Sequence, residues 1–228
     1  MAEGTAGAVT TADGRSSVRR GPETREAIEA AALELFARRG YHATSMRSIA
    51  AAAEVRPAAI YHWYDGKEAI LVALQNEFME RLTAKVDEAV AVHEQPALRL
   101  AAAVREHVVF HGLHSRAAFV TDSEIRALGD EARAALITRR DEYQSMFRGM
   151  IRDGISDGSL SSSEVGVATY AILLQCTGVA LWFDPEGPLS IDQVADVHVE
   201  LVLGALRASP KSIASAVAAV PGRREGSG

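Results

Sequence analysis

The chain has one cysteine, Cys176, among 228 residues. That excludes an internal disulfide framework and suits a reducing compartment. No stretch of clean apolar character approaches the roughly 20 residues needed to cross a bilayer. The most apolar one, residues 164–183, is interrupted by polar side chains, which argues against a membrane span. The first residues are rich in glycine, alanine and threonine without a hydrophobic core, so no secretory signal is expected. A cytoplasmic protein without a membrane partner is the expectation. Convincing strand patterns are missing too, and with them any glycine-rich phosphate loop following a strand. Cys176 has no catalytic partner nearby in sequence and falls in a predicted buried helix, which suits an inert thiol better than a nucleophile. Without a family-like His, Ser and Asp arrangement either, the chain is expected to be no enzyme and to need no cofactor.

What is present is apolar residues, 48% of the total, at helical spacing, together with an ordinary 24% of charge. This predicts a packed all-α protein. The formal net charge of −6 sits poorly with binding nucleic acid until its distribution is read. From Arg15 to Lys67 there are nine basic residues against six acidic ones, leaving +3 locally and −9 on the remainder. A basic N-terminal module on an acidic body can steer toward phosphates.

That module is the most informative stretch. A first helix is predicted from about Thr24 to Arg39, with Ile28, Ala31, Ala32, Leu35 and Phe36 on one face. Gly40 stands where a left-handed residue closes a helix. Thr44 or Ser45 offers a hydroxyl N-cap to a second helix bearing Met46, Ile49, Ala50 and Ala53. After a turn at Glu54-Val55, Pro57 takes the first position of a third helix, which turns Ile60 inward and Tyr61 and His62 outward. Two short helices joined by a tight turn and braced by a longer one make a helix-turn-helix.

Phe36-Ala37-Arg38-Arg39-Gly40, Ala43-Thr44-Ser45, Ile49-Ala50, Val55, Ile60-Tyr61-His62-Trp63-Tyr64 and Lys67-Glu68 together resemble the DNA-binding domain of the TetR family of bacterial transcriptional regulators. The resemblance covers about a fifth of the chain, many positions agreeing at fixed spacing. One departure is Glu54, where the family more usually has glycine; a positive φ there would cost roughly 1 kcal/mol. The candidate DNA-binding residues are Thr44, Ser45, Arg47, Arg56, Ala58, Ala59, Tyr61, His62 and Lys67. Thr44 and Ser45 open the second helix, where N–H groups and hydroxyls can hold a phosphate. Arg56, Ala58, Ala59 and His62 lie on the groove-facing side of the third, while Tyr61 and His62 match backbone-contacting positions of the family. Lys67 matches the family's lysine at the start of the fourth helix and is expected to reach a phosphate. Trp63 is expected to pack within the module.

The resulting expectation is about nine helices in two domains. Residues 1–20 form a disordered basic leader and 21–67 the helix-turn-helix domain. Residues 68–208 form a helical effector-binding and dimerisation domain, and 209–228 a disordered tail. A long helix from Lys67 to about His93, some 35–40 Å at about 1.5 Å per residue, links module and body as a lever. Further helices are predicted at Pro96 to Gly112, 116–128, Gly129 to Asp153, Glu164 to Phe183 and Ser190 to Ala208. The last two are apolar enough to need burial on several sides and suit a four-helix homodimer interface; the resemblance implies the same pairing.

The resemblance further implies a homodimer on a near-palindromic operator, released when an effector binds in the body. Candidate ligand residues are Phe78, Val104, His107, Phe110, His111, Phe119, Tyr143, Phe147, Tyr170, Leu174, Gln175 and Trp182, any of which could instead be core. Tyr143, the turn near Gly158 and the run from Leu181 to Leu189 make the body look similar to TetR members governing lipid, fatty-acid and steroid catabolism, which implies an acyl-CoA or other hydrophobic effector. Two alternatives stand beside this. His107, His111 and His114 fall four and three apart with metal-ligand spacing, so a metal-responsive regulator is one. A ligand-binding helical dimer with weakened DNA reading is the other.

Overall fold

The computed structural model describes residues 21–220, all helix and connecting loop without a strand. Helix α1 (Gly21–Arg39) buries Ile28, Ala32 and Phe36 completely and stops at Gly40, whose φ of +80° turns the chain. Ser45 caps α2 (Met46–Ala52) through a reciprocal box. Its hydroxyl accepts from the Ser48 N–H at 3.1 Å, and the Ser48 hydroxyl accepts from the Ser45 N–H at 3.0 Å. The sequence left Thr44 and Ser45 open as caps; Ser45 takes the role because Thr44 is turned inward. Between α2 and α3 (Pro57–Trp63), Glu54 holds φ +57°. The left-handed turn expected of the departure from glycine is present.

Helix α4 (Lys67–Ala91) carries Ile70, Leu71, Phe78, Leu82, Val86 and Val90 on its buried stripe. It packs on α5 (Pro96–Leu113), which is buried almost all round and forms the axis of the body. Around it stand α6 (Ser115–Ser123) with a following 3-10 turn (Glu124–Ala127), α7 (Asp130–Ser156), α8 (Val165–Thr177), the single turn α9 (Val179–Trp182) and α10 (Ile191–Ala205). Helix α10 crosses α5 closely at Gly112, where a Cβ would lie 2.2 Å from Ile191 Cδ1. The same pair is clamped by Arg105, whose guanidinium donates to Asp192 at 2.8 Å and also to Asp196.

Three expectations need correction. The segment assigned to a disordered tail contains α11 (Pro210–Ala219), capped by Ser209, with Ala216 and Val220 buried; it packs on α5 and α10. Ile213, Ala216, Val217 and Val220 form a short helical stripe masked by the surrounding small residues. The run from Val165 to Trp182 is long and apolar enough to cross a membrane by length and composition, with mean hydropathy 1.6. Its polar residues are too few and too mild to lower that value. Nor is it buried on several sides: 22% of it is buried within the chain. Residues 1–20 and 221–228 lie outside the described residues, and with them the basic leader.

Candidate nucleic-acid interface and ligand cavity

Ile49, Ala50, Ala53 and Ile60 turn inward from α2 and α3. The opposite surface exposes Ser45, Arg47, Arg56, Ala58, Tyr61 and His62, with Ala59 half-buried. Cations, a phenol and small methyl-bearing side chains thus share the exposed surface of the two short helices. Trp63 is not packed away; it is exposed and meets the His62 ring edge-on. Two expected contacts are used internally instead. Thr44 is buried, its hydroxyl donating to the Gly40 carbonyl at 2.9 Å. The Lys67 ammonium donates to the carbonyls of Tyr41 at 2.6 Å and Thr44 at 2.9 Å and lies over the Tyr41 ring. The Tyr41 carbonyl also accepts the Thr44 N–H at 3.2 Å, and the lysine holds the α1–α2 turn against the start of α4.

In the body a cavity of about 620 Å3 lies among α4 to α9. Of the candidate ligand residues, Phe78, His107, His111, Phe119, Tyr143, Tyr170 and Leu174 line it. The others do not. Val104 is fully buried in α5, and Phe147 is buried against the rings of His107 and Tyr143. Phe110 faces Phe78 and His114, Gln175 is exposed, and Trp182 lies exposed with its ring stacked on His198. Sequence reading missed Met79, Leu82, Thr121, Asp122, Ser123, Arg140, Gln144, Leu173, Thr177, Gly178, Ala180 and Leu181. Helical spacing could have found Arg140 and Thr177, each three residues from a chosen one (Tyr143 and Leu174). The same spacing points to Asp122 and Ser123, three and four residues from Phe119 on one helix.

The inner wall is polar. His107 shares hydrogen bonds through Nδ1 with the Tyr143 hydroxyl at 2.8 Å and through Nε2 with the Thr177 hydroxyl at 3.1 Å. His111 stacks on it with ring centroids 4.0 Å apart, and its Nδ1 meets the His107 carbonyl at 2.9 Å. Burial holds the His107 imidazole well below its ordinary pKa and pushes that of His111 down to about 4, so both are neutral at pH 7. Burial also raises the Tyr143 phenol well above its usual range and the Cys176 thiol to about 12, which keeps that thiol protonated. The charged lining residues satisfy each other: Arg140 donates to Asp122 and to the Thr121 carbonyl, both at 2.9 Å.

The metal-ligand spacing does not produce a ligand set. His114 lies past the end of α5 at φ −117°, ψ 37°, its Nε2 3.4 Å from the Arg81 guanidinium and its ring against Phe110. Among the described residues no three metal-ligating side chains gather.

One wall of the cavity continues into the N-terminal module. Asp122 and Ser123 line the cavity, and the next residue, Glu124, accepts from the Tyr41 N–H at 3.2 Å. On α6, Arg116 pairs with Glu34 of α1 at 3.1 Å. Beyond the 3-10 turn, the Gly129 N–H donates to Glu68 of α4 at 2.6 Å.

Residues 28–74 match the bacterial regulatory proteins of the tetR family, and residues 93–206 match the tetracyclin repressor-like C-terminal domain. The HTH-type transcriptional repressor KstR2 of Rhodococcus jostii is 30% identical over 181 residues, covering 78% of this chain and 88% of the relative. A crystal structure of a tetR-family regulatory protein from Rhodococcus RHA1 superimposes with TM-score 0.77 at 29% identity, covering 82% of this chain and 98% of the other. AibR in complex with isovaleryl coenzyme A and operator DNA superimposes with TM-score 0.72 at 28% identity, covering 78% of this chain and 97% of that one.

Proposed function

Because the chain belongs to the TetR family of bacterial regulatory proteins, we propose that it is a ligand-responsive transcriptional repressor acting on operator DNA in the cytoplasm. Regulators of this family are not enzymes; the neutral histidines of this chain serve here as a binding wall rather than as catalysts, and the buried Cys176 thiol is part of the core. Residues 21–67 are the DNA-binding unit. The effector and dimerisation unit runs from 68 and includes α11 up to Ala219. Ser45 and Arg47 open the unit toward the phosphate backbone, and Tyr61 contacts it from α3. Arg56, Ala58, Ala59 and His62 face the groove, the alanines through methyl contacts and DNA shape. Thr44 and Lys67 set the geometry of the turn rather than touch DNA.

A single observation carries this reading: the cavity wall at Asp122 and Ser123 passes without a break into Glu124, which holds the turn before the first DNA-binding helix. A ligand that reshapes that wall has a physical route to the module. Release requires the effector to bind the DNA-incompetent form better, and a 100-fold preference corresponds to about 2.7 kcal/mol of coupling. The effector is a small hydrophobic molecule or the acyl portion of a thioester. With Arg140 already paired to Asp122, a coenzyme A head group remains at the rim while its acyl part enters.

Val167, Tyr170, Leu174 and Leu181 of α8 and α9, with Val197 and Leu201 of α10, are exposed. They form the homodimer face. Tyr170, Leu174 and Leu181 also border the cavity, so the second copy closes its mouth.

The test is fluorescence polarisation with a duplex from upstream of the protein's own gene against random duplex, over a salt series. Preferential binding that weakens steeply with salt, as phosphate contacts require, and release by acyl-CoA thioesters are expected. Equal, feeble binding to both duplexes would favour a ligand-binding dimer that has lost DNA reading.

A further inference from the structure

The cavity specifies one atom of its ligand, an inference that rests on the effector reading above. His111 is 3% exposed and lines the cavity. Its Nδ1 is 2.9 Å from the His107 carbonyl. A carbonyl can only accept, so Nδ1 carries the proton of the neutral ring and Nε2 presents a bare lone pair.

The surroundings leave that lone pair for a ligand. One face of the ring lies against His107 at 4.0 Å, and Phe78 approaches edge-on with its centroid 5.4 Å away. Neither supplies a donor to Nε2. The hydroxyls of Tyr143 and Thr177 sit at the two ring nitrogens of His107, one donating and the other accepting, and neither hydrogen-bonds to His111 Nε2. The Asp122 carboxylate, which could otherwise sustain an imidazolium, is bound to Arg140.

We propose that His111 Nε2 is the acceptor for a hydroxyl on the buried part of the effector. The ligand class is thus an apolar skeleton carrying an alcohol or phenol donor, and a plain saturated acyl chain is discriminated against. A skeleton without the donor leaves a buried acceptor unpaired, which typically lowers affinity about tenfold or more.

The probes are 4-octylphenol and 1-fluoro-4-octylbenzene, of closely similar shape, the second without a donor. Their affinities for the full chain are measured by equilibrium dialysis. The ratio of phenol to fluoro affinity is expected to fall about tenfold in His111→Phe and to recover in His111→Gln, whose carbonyl oxygen again accepts. An unchanged ratio in folded His111→Phe overturns the proposal. Should that variant not fold, 15N NMR of histidine-labelled wild type decides. The Nε2 resonance is expected to be that of an unprotonated nitrogen and to shift with the phenol but not with the fluoro compound. A protonated Nε2, or one indifferent to the phenol, overturns the assignment. If neither probe binds at all, the cavity as a hydrophobic site fails, and the hydroxyl acceptor fails with it.

Discussion

Glu54 occupies the left-handed backbone region at φ +57°, where a Cβ costs roughly 1–2 kcal/mol. Glycine relieves that strain but loses part of the gain to the freer unfolded chain, by roughly 0.4–1 kcal/mol. Urea unfolding should therefore rank Glu54→Gly above the natural protein and Glu54→Val below it, with an unchanged slope. A second prediction concerns acid. His107 and His111 are held below their unfolded pKa of about 6.5, His111 at about 4. The unfolded chain takes up protons first, so the contribution of both is complete above about pH 6.5 and declines as pH falls below it, that of His111 being lost toward about 4. Thermal melts should show that loss, and His111→Gln should shrink it. At this scale the sequence was legible where side chains simply face outward, as Arg47, Arg56 and Tyr61 do. It misled where backbone geometry decides. His114 keeps its spacing but leaves the helix, and Thr44 and Lys67 are drawn to carbonyls that only the folded turn exposes.

Helices were the most readable level, because a buried stripe repeats whatever its neighbours are. Helix α4 begins at the predicted Lys67 and ends two residues early, and α5 begins at the predicted Pro96. Helix α11 escaped because its stripe is short and set among serines and alanines. Proximity across elements was not legible: nothing in the chain announces that Glu124 meets the Tyr41 N–H or that Arg105 clamps α10. Two predictions belong here. Gly112→Ala places a methyl group against Ile191. It should destabilise the fold by about 1–3 kcal/mol, despite alanine's better helix propensity, as read by chemical denaturation. Glu124→Ala removes the acceptor for the Tyr41 N–H. It should leave cavity binding intact while reducing the change in operator affinity that an effector produces; an unaltered response would place the coupling elsewhere.

At the scale of the whole molecule, an acidic body carries a reading module in which residues 21–67 balance six basic against six acidic side chains, and large apolar side chains of α8, α9 and α10 are left exposed. Val197 and Leu201 are 49% and 57% exposed and do not line the cavity, so Leu201→Glu tests the dimer without touching the ligand wall. Analytical ultracentrifugation should find it monomeric, with its operator binding weakened. The most direct test of a dimeric DNA-reading regulator is selection from a random duplex library by the purified full chain. The expected product is an inverted repeat whose half-sites lie about one helical turn, roughly 10 base pairs, apart. A library that yields no enriched sequence, or a lone half-site without its mirror image, would contradict it.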